Sequence, residues 1–175
     1  NKNGSIVRVT ADEMPGLVDI SFSALNLNQN GFLEPIWHPN ANKMGYCLQG
    51  NGLVSIRTPT GVETFTIQEG EVFFIPKGFV YQISNTGKEL NVIFALNHHK
   101  PEEMSFFQAV HSVSESVFHS TFNTSPDFYR GLVKSKQQNQ LSSLPIETET
   151  PDFISNRFKF SLNTSTKVIL TKGGY

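Results

Sequence analysis

Residues 30–52, NGFLEPIWHPNANKMGYCLQGNG, decide the fold class of this chain. Residues 34–38 are extended, because proline and the residue before it avoid the helical region. Residues 39–42 form a polar turn, and residues 43–49 alternate as a strand does. Residues 50–52 interrupt that strand with two glycines. The stretch therefore predicts two strands joined by a polar turn.

A second stretch, residues 70–85 with the sequence GEVFFIPKGFVYQISN, has a similar pattern. It predicts an apolar strand over 71–75, a turn over 76–78 and an alternating strand over 79–84. Further strands are predicted at 6–10, 17–22, 53–58, 62–67 and 90–96. Short strands at this spacing favour an antiparallel barrel or sandwich over alternating strand and helix units.

The hydrophobic period changes after Asn97. Residues 106–113 carry apolar side chains at helical spacing, Ser112 with Glu115 predicts a capping box for a second helix, and Ser125-Pro126 predicts the start of a third. We therefore expect a barrel over 1–100, a small helical cluster packed on it over 101–135, and a linker with a strand-like extension over 136–175. Within this last part, residues 136–152 resemble a linker, and residues 158–162 and 168–170 are strand-like.

The composition excludes several classes of protein. The chain has 175 residues, with 14 Lys and Arg against 15 Asp and Glu, so no basic surface is expected to hold nucleic acid. No apolar run approaches the roughly 18 residues of a membrane span, so we expect a soluble chain. The single cysteine, Cys47, excludes an internal disulfide. The chain begins at Asn1 without a methionine, so we expect that it was trimmed, and its compartment stays open.

The two stretches resemble the signature motifs of the cupin superfamily. The whole chain resembles one half of a two-cupin protein of the oxalate decarboxylase, germin and seed storage globulin group. The resemblance depends on residues 37–41 (WHPNA), on the spacing of Gly70, Pro76 and Gly78, and on the helices that follow. It implies an all-β fold, a double-stranded β-helix or jelly-roll barrel, with a small C-terminal helical cluster and a strand-like extension. Whether a second cupin follows in the natural chain stays open.

The same resemblance implies a metal site whose ligands are largely missing here. Cupins supply two histidines and a glutamate from the first motif and a histidine from the second, and these bind manganese or another divalent ion. The corresponding positions are Ile36, His38, Lys43 and Tyr81, of which only His38 matches. Isoleucine offers no lone pair, and an ammonium about 4 Å from a cation is repelled by several kcal/mol. We therefore expect no metal cofactor, with manganese or another divalent ion as the alternative.

Lys43 has two interpretations at this point. In the first, its side chain extends to the barrel mouth and pairs with a carboxylate such as Glu34. In the second, its ammonium replaces the metal as a fixed positive charge, and His38 and Tyr81 help it to bind a small anionic or polyol ligand. The plainer interpretation of His38 and Tyr81 is that both are hydrogen-bonded, packed side chains.

The loop between barrel and helices carries a second candidate cluster. His98 and His99, followed by Glu102 and Glu103, are residue types that can bind a metal at the surface, although side chains of successive residues diverge. By its position this loop resembles the mobile lid of oxalate decarboxylases, which carries a catalytic acid. Lys100 occupies the nearest position here, so we assign no catalytic residue.

Two functions stay open. The first is a degenerate, non-catalytic cupin that acts as a small-molecule binding or assembly module, which includes a storage or structural role. The second is a metal-dependent, oxalate decarboxylase-like enzyme acting on a small carboxylic acid. The strand-like extension lacks a later partner in the chain, so it is expected to close its own barrel or to exchange with a second copy. A homo-oligomer with exchanged extensions is the outcome we favour.

Overall fold

The computed structural model describes residues 2–134, 141–143 and 156–166. Ten strands, three short α-helices and one 3₁₀ turn make up this part of the chain. Their bounds are β1 Gly4–Val9, β2 Ser21–Asn28, β3 Gly31–Trp37, β4 Lys43–Thr58, β5 Gly61–Gln68, β6 Glu71–Ile75, β7 Tyr81–Leu96, β8 Met104–Ser105, α1 Phe106–Ser112, α2 Glu115–Phe122, α3 Pro126–Lys134, β9 Leu141–Ser143, β10 Lys159–Ser161 and the 3₁₀ turn Leu162–Thr164.

All strand pairs are antiparallel, as the spacing of the predicted strands indicates. The main path of the sheet runs β1-β2-β7-β4-β6-β10, while β3 pairs with β7, β8 and β9, and β5 pairs with β4. The long strands β4 and β7 belong to both layers. Residues 43–46 of β4 lie between β7 and β6, and residues 52–56 lie between β7 and β5. This arrangement confirms the predicted all-β jelly-roll fold.

The predicted interruption at residues 50–52 is wrong, because β4 passes through it. Gly50 has a φ of 87°, and a Cβ at this position would lie 1.9 Å from the carbonyl oxygen of Glu89. The register between β4 and β7 shifts on either side of Gly50. The glycine therefore forms a bulge within one long strand rather than an end.

The gap between the predicted strands 79–84 and 90–96, where Asn85-Thr86-Gly87 was expected to turn the chain, also lies inside a strand, β7. The Asn85 side chain accepts a hydrogen bond from the Gly87 amide at 2.8 Å and donates to the carbonyl oxygens of Leu27 and Asn28. A side chain of the turn-forming type thus anchors β7 to β2. The predicted strand over residues 17–22 is also misplaced. Asp19 has a φ of 56°, which is not a strand conformation, and β2 begins only at Ser21.

Inward side chains from both layers form one apolar core. In the described part of the chain nineteen buried residues make up the cluster, and they include Leu27, Ile56, Phe73, Ile83 and Phe94. Buried polar side chains adjoin this cluster, and they include Ser21, His38, Lys43 and Glu71.

Helices α1 and α3 begin at residues that favour a helix start, whereas the capping box predicted for α2 does not form. The box forms at α1, where Ser105 and Gln108 exchange hydrogen bonds, and not at Ser112 and Glu115. Pro126 opens α3 as predicted, and the Ser125 hydroxyl accepts a hydrogen bond from the Phe128 amide at 3.4 Å. No helix in the described ranges is long and apolar enough to cross a bilayer.

Two short strands from the C-terminal part of the chain add to the sheet. Leu141–Ser143, inside the stretch predicted as a linker, pairs with β3. Lys159–Ser161 pairs with β6 of the same chain. This pairing is the first of the two outcomes expected for the extension, closure of its own barrel. Exchange with a second copy stays a prediction, and residues 168–170 lie outside the described residues.

A buried ion pair fixes β10 to β6. Lys159 Nζ lies 3.3 Å from a Glu71 carboxylate oxygen, and both side chains are nearly inaccessible to solvent, at 6% and 1%. The other Glu71 oxygen accepts a hydrogen bond from the Gln68 amide at 2.9 Å. Removal of one partner from such a pair leaves an uncompensated buried charge.

We expect Lys159→Met to lower the free energy of unfolding by about 3 kcal/mol, measured by chemical denaturation. The double variant Glu71→Gln with Lys159→Met keeps an acceptor for Gln68 and removes the stranded charge, so it should recover more than half of the loss. Lys88→Met, at an exposed position, is the matched control and should change stability by less than about 0.5 kcal/mol. Equal losses in the single and double variants would contradict the explanation.

Candidate functional site

The four positions that correspond to cupin metal ligands converge in the interior. Ile36 is the cross-strand neighbour of Tyr81. Lys43 Nζ donates a hydrogen bond to the Tyr81 hydroxyl at 2.7 Å. The His38 ring stacks on the Tyr81 ring, with 6.2 Å between centroids and 17° between planes. The structure therefore places these four side chains next to one another.

Strand alternation places the Lys43 ammonium inside the protein. Lys43, Gly45 and Cys47 are buried, and the residues between them face outward. Nζ lies 4.0 Å from the centre of the Phe94 ring, which attracts a cation through its electron-rich face. Among the described residues, Tyr81 is the hydrogen-bond partner of Nζ, and the expected pairing with Glu34 is not formed.

Burial shifts the titration of both members of this pair. Loss of hydration lowers the pKa of the Lys43 ammonium from its ordinary 10.5 to about 7, although nearby Glu103 partly opposes the change. Burial also raises the pKa of the Tyr81 phenol well above 10. At neutral pH the tyrosine is therefore a neutral hydroxyl, and the lysine is poised between its charged and neutral forms.

Arg8 and Glu103 complete the site, and sequence patterns did not place them there. The Arg8 guanidinium donates to both Glu103 oxygens, at 2.8 and 3.0 Å. Burial raises the pKa of the Glu103 carboxyl, but the hydrogen bond from His38 and the charge of Arg8 outweigh this effect and hold it at about 2. Glu103 was grouped with the loop histidines from its position in the sequence. Arg8 lies 95 residues away, and no spacing rule connects them.

His38 has one nitrogen engaged and one without a partner. Nε2 lies 3.5 Å from Glu103 Oε2. Burial lowers the pKa of the His38 imidazole, so the ring is neutral at pH 7 and carries its proton on Nε2, facing the carboxylate. Nδ1 is then a buried acceptor, and neither it nor the buried Ser21 hydroxyl has a hydrogen-bond partner in the described part of the chain. A water or ligand in the adjoining cavity can satisfy both groups.

That cavity has a volume of about 50 Å³. This exceeds the roughly 10–15 Å³ that one water needs on the same measure, so it admits a few waters or a ligand of a few heavy atoms. Its walls combine an apolar side that includes Ile36, Phe94 and Leu96 with a polar side formed by Arg8, Ser21, Ser23, His38, Lys43 and Glu103.

These residues do not fit the divalent metal that the resemblance implies. Ile36 has no donor atom, Lys43 brings an ammonium to a ligand position, and the Tyr81 hydroxyl is engaged by that ammonium. Among residues 2–134, 141–143 and 156–166, no three His, Cys, Asp or Glu side chains form a metal-binding group. A metal at this site would first require Lys43 to lose its proton and leave Tyr81.

The second candidate cluster takes a different arrangement. The His98 and His99 rings stack on each other, with centroids 4.7 Å apart. His99 Nδ1 lies 3.9 Å from an Asp19 oxygen, and His98 Nδ1 accepts a hydrogen bond from the Lys100 amide. Glu103 faces away from these histidines toward His38, so the predicted loop cluster is divided between two places.

Comparison with known proteins gives one family. A family model described as Cupin matches residues 1–130. Germin-like protein subfamily 2 member 2 of Arabidopsis thaliana is 31% identical over 126 residues, which cover 67% of this chain and 58% of that protein. Nectarin-1 of Nicotiana langsdorffii x Nicotiana sanderae is 30% identical over 145 residues, covering 78% and 63%.

Solved structures show the same fold at lower identity. A mutant of Bacillus subtilis oxalate decarboxylase OxdC superposes with a TM-score of 0.86 at 14% identity, covering 98% of this chain and 48% of that one. The formate complex of Lactobacillus farciminis oxalate decarboxylase superposes with a TM-score of 0.71 at 21% identity, covering 74% and 39%. This chain therefore spans about half the length of the proteins it matches.

The Lys43 site predicts an unusual dependence of stability on pH. Between about pH 7 and pH 10.5 the unfolded chain holds a proton on Lys43 that the folded chain has lost, so folding becomes more favourable as pH rises. Relative to Lys43→Met, the wild-type protein should gain roughly 2–4 kcal/mol between about pH 6 and pH 10. Denaturant titrations at a fixed protein concentration measure this difference.

Lys88→Met, at an exposed position, is the control variant for this measurement. Its stability curve should run parallel to that of the wild type. A parallel curve for Lys43→Met would show that the ammonium remains fully hydrated in the folded protein, against the burial described here.

Proposed function

This chain belongs to the cupin family, and we propose that it is a non-catalytic cupin unit that binds a small anion in its interior without a metal ion. Lys43 takes the place of the metal as the positive group. The observation that supports this most is the buried ammonium beside Tyr81, in a cavity where cupins otherwise gather metal ligands.

The charges of the site favour an anion over a cation. Arg8 Nη2 donates to both Glu103 oxygens, so these two charges offset each other. Protonated Lys43 then leaves one net positive charge in surroundings of low dielectric, where an opposite charge is attracted strongly. Of the three donors of the ammonium, one binds Tyr81, and in the described part of the chain no other oxygen accepts from the remaining two.

The size of the cavity and the neutral groups beside it restrict the ligand further. A volume of about 50 Å³ admits a small carboxylate or a short polyol but not a sugar. His38 Nδ1 is a free acceptor and Ser21 a free hydroxyl in the described structure, so a hydroxyl on the ligand would find partners. A polyol is therefore the second ligand class, and it would not depend on the charge of Lys43.

Metal content tests the proposal against the enzymatic alternative. The protein, expressed in medium that contains manganese, iron and zinc, should carry well below one metal ion per chain by elemental analysis. One equivalent of manganese, iron or zinc that is lost in His38→Ala would favour an oxalate decarboxylase-like enzyme acting on a small carboxylic acid. The likeness to solved oxalate decarboxylases lies below 25% identity and supports the fold alone.

Ligand binding tests the role of Lys43 directly. Acetate and glycerol serve as probes, titrated into ¹⁵N-labelled protein and followed by backbone amide shifts. Acetate should bind roughly tenfold more tightly at about pH 6 than at about pH 8.5, because the lysine is protonated below its pKa of about 7. Lys43→Met should lose roughly 10- to 100-fold in acetate affinity, the usual value of a hydrogen bond to a charged group.

Lys88→Met is again the matched control and should bind acetate as the wild type does. Acetate binding that is unchanged in Lys43→Met would overturn the proposal. Glycerol binding that is equal in the wild type and in Lys43→Met would instead assign the pocket to a polyol.

A further inference from the structure

Two buried polar groups beside Lys43 have no hydrogen-bond partner in the described part of the chain. Ser21 is fully buried at the start of β2, and its hydroxyl is unsatisfied within residues 2–134, 141–143 and 156–166. His38 is 6% exposed, and its Nδ1 is unsatisfied within the same ranges. Both residues line the cavity of about 50 Å³ that Lys43 also lines. Because an unsatisfied buried polar group costs free energy, the pair marks the place of a hydrogen-bonding ligand group.

The register of the sheet brings Ser21 and Lys43 to the same cavity. Both are cross-strand neighbours of Leu96 on β7, so the three residues form one row across β2, β7 and β4. All three are buried. Since neighbouring strands are about 4.8 Å apart, the α-carbons of Ser21 and Lys43 are roughly 10 Å apart. Lys43 Nζ lies 4.0 Å from the centre of the Phe94 ring, which belongs to the middle strand, so a short ligand can reach from Nζ to Ser21.

A single hydroxyl group satisfies both of the unpartnered atoms. A hydroxyl has one proton to donate and two lone pairs that accept. It can donate its proton to His38 Nδ1 and accept the proton of the Ser21 hydroxyl. Burial lowers the pKa of His38, which keeps Nδ1 available as an acceptor near neutral pH. An ionised carboxylate cannot take this place, because its oxygens have no proton to give to Nδ1.

The ammonium and the volume of the cavity set the rest of the ligand. Lys43 Nζ has three donors, of which one binds Tyr81, and the other two can bind the oxygens of a carboxylate. One water needs roughly 10–15 Å³ on the measure that gives this cavity about 50 Å³. The cavity therefore has room for roughly three to five heavy atoms, or slightly more where the ligand is compact. This is the size of a two- or three-carbon acid.

We propose that the cavity is specific for a short hydroxycarboxylate, of which glycolate is the smallest, over carboxylates that lack a hydroxyl. The carboxylate of the ligand binds the Lys43 ammonium, and its hydroxyl lies between Ser21 and His38. This inference rests on the proposed function, because Lys43 has to bind a carboxylate first. It goes further in assigning specificity to Ser21 and His38, two residues that a simple anion would leave unsatisfied.

Glycolate and propionate are matched probes, since they have the same charge and size and differ by a hydroxyl in place of a methyl group. Each is titrated into ¹⁵N-labelled protein at about pH 6, below the Lys43 pKa of about 7, and followed by amide shifts. Glycolate should bind roughly 10- to 100-fold more tightly, because propionate leaves both buried groups unsatisfied. Ser21→Ala should reduce this ratio at least roughly fivefold. Ser5→Ala, at an exposed serine of β1, is the control and should keep the full ratio.

Equal affinities for glycolate and propionate, both weakened in Lys43→Met, would overturn this inference and leave the proposed function intact. A ratio that is unchanged in Ser21→Ala, or reduced equally in Ser5→Ala, would also overturn it. If the wild type binds neither probe, or binds both equally well after Lys43→Met, the proposed function fails as well. If Ser21→Ala does not fold, Ser21→Cys replaces it with the same expected fall, because a thiol is only a weak donor.

Discussion

The interior of this protein depends on one interaction, the buried hydrogen bond from the Lys43 ammonium to the Tyr81 hydroxyl. It joins the start of β4 to the start of β7, the two long strands that belong to both layers of the jelly roll. A buried charge with one neutral partner and one aromatic ring is incompletely compensated. The positive charge of the site can therefore stabilise a negatively charged ligand, and burial lowers the pKa of its lysine to about 7.

The acidic group near Lys43 is paired with other residues, so it does not neutralise the charge of the lysine. Glu103, the acidic group whose charge acts on the lysine, accepts two hydrogen bonds from Arg8 Nη2 and lies 3.5 Å from His38 Nε2. The carboxylate is thus paired with other groups, and its charge opposes only part of the fall in the pKa of Lys43 that burial causes. A divalent metal would meet the opposite conditions, with a cation already present and donor atoms missing.

The same strands carry different chemistry on their two faces, and the reason is the two-residue alternation of a strand. Lys43 faces the cavity, and its neighbour Met44 faces outward. In β7, Phe94 contacts the lysine from inside, and its neighbour Ile93 faces outward. Residues that are neighbours along β4 and β7 therefore belong either to the cavity or to the outer surface of the sheet.

The sequence by itself determined the fold class, the strand order along the chain and the convergence of Ile36, His38, Lys43 and Tyr81. Alternating apolar residues and turn residues are local signals, and the motif spacing relates positions that the fold always brings together. It misplaced the ends of β4 and β7, because Gly50 and Asn85 carry turn signals that the long strands use for a bulge and an anchor. Those uses depend on contacts with β2 and between the long strands, which no local window contains.

Only the tertiary structure decided what surrounds the lysine and what the outside of the sheet presents. Arg8 and Glu103 meet across 95 residues because β1 and the loop before β8 lie side by side in space. Likewise, the outward side chains form rows only because the register aligns single residues from six strands. The sequence fixes the alternation within each strand, but the neighbours of a side chain across the sheet are set by pairing, which is a property of the folded chain.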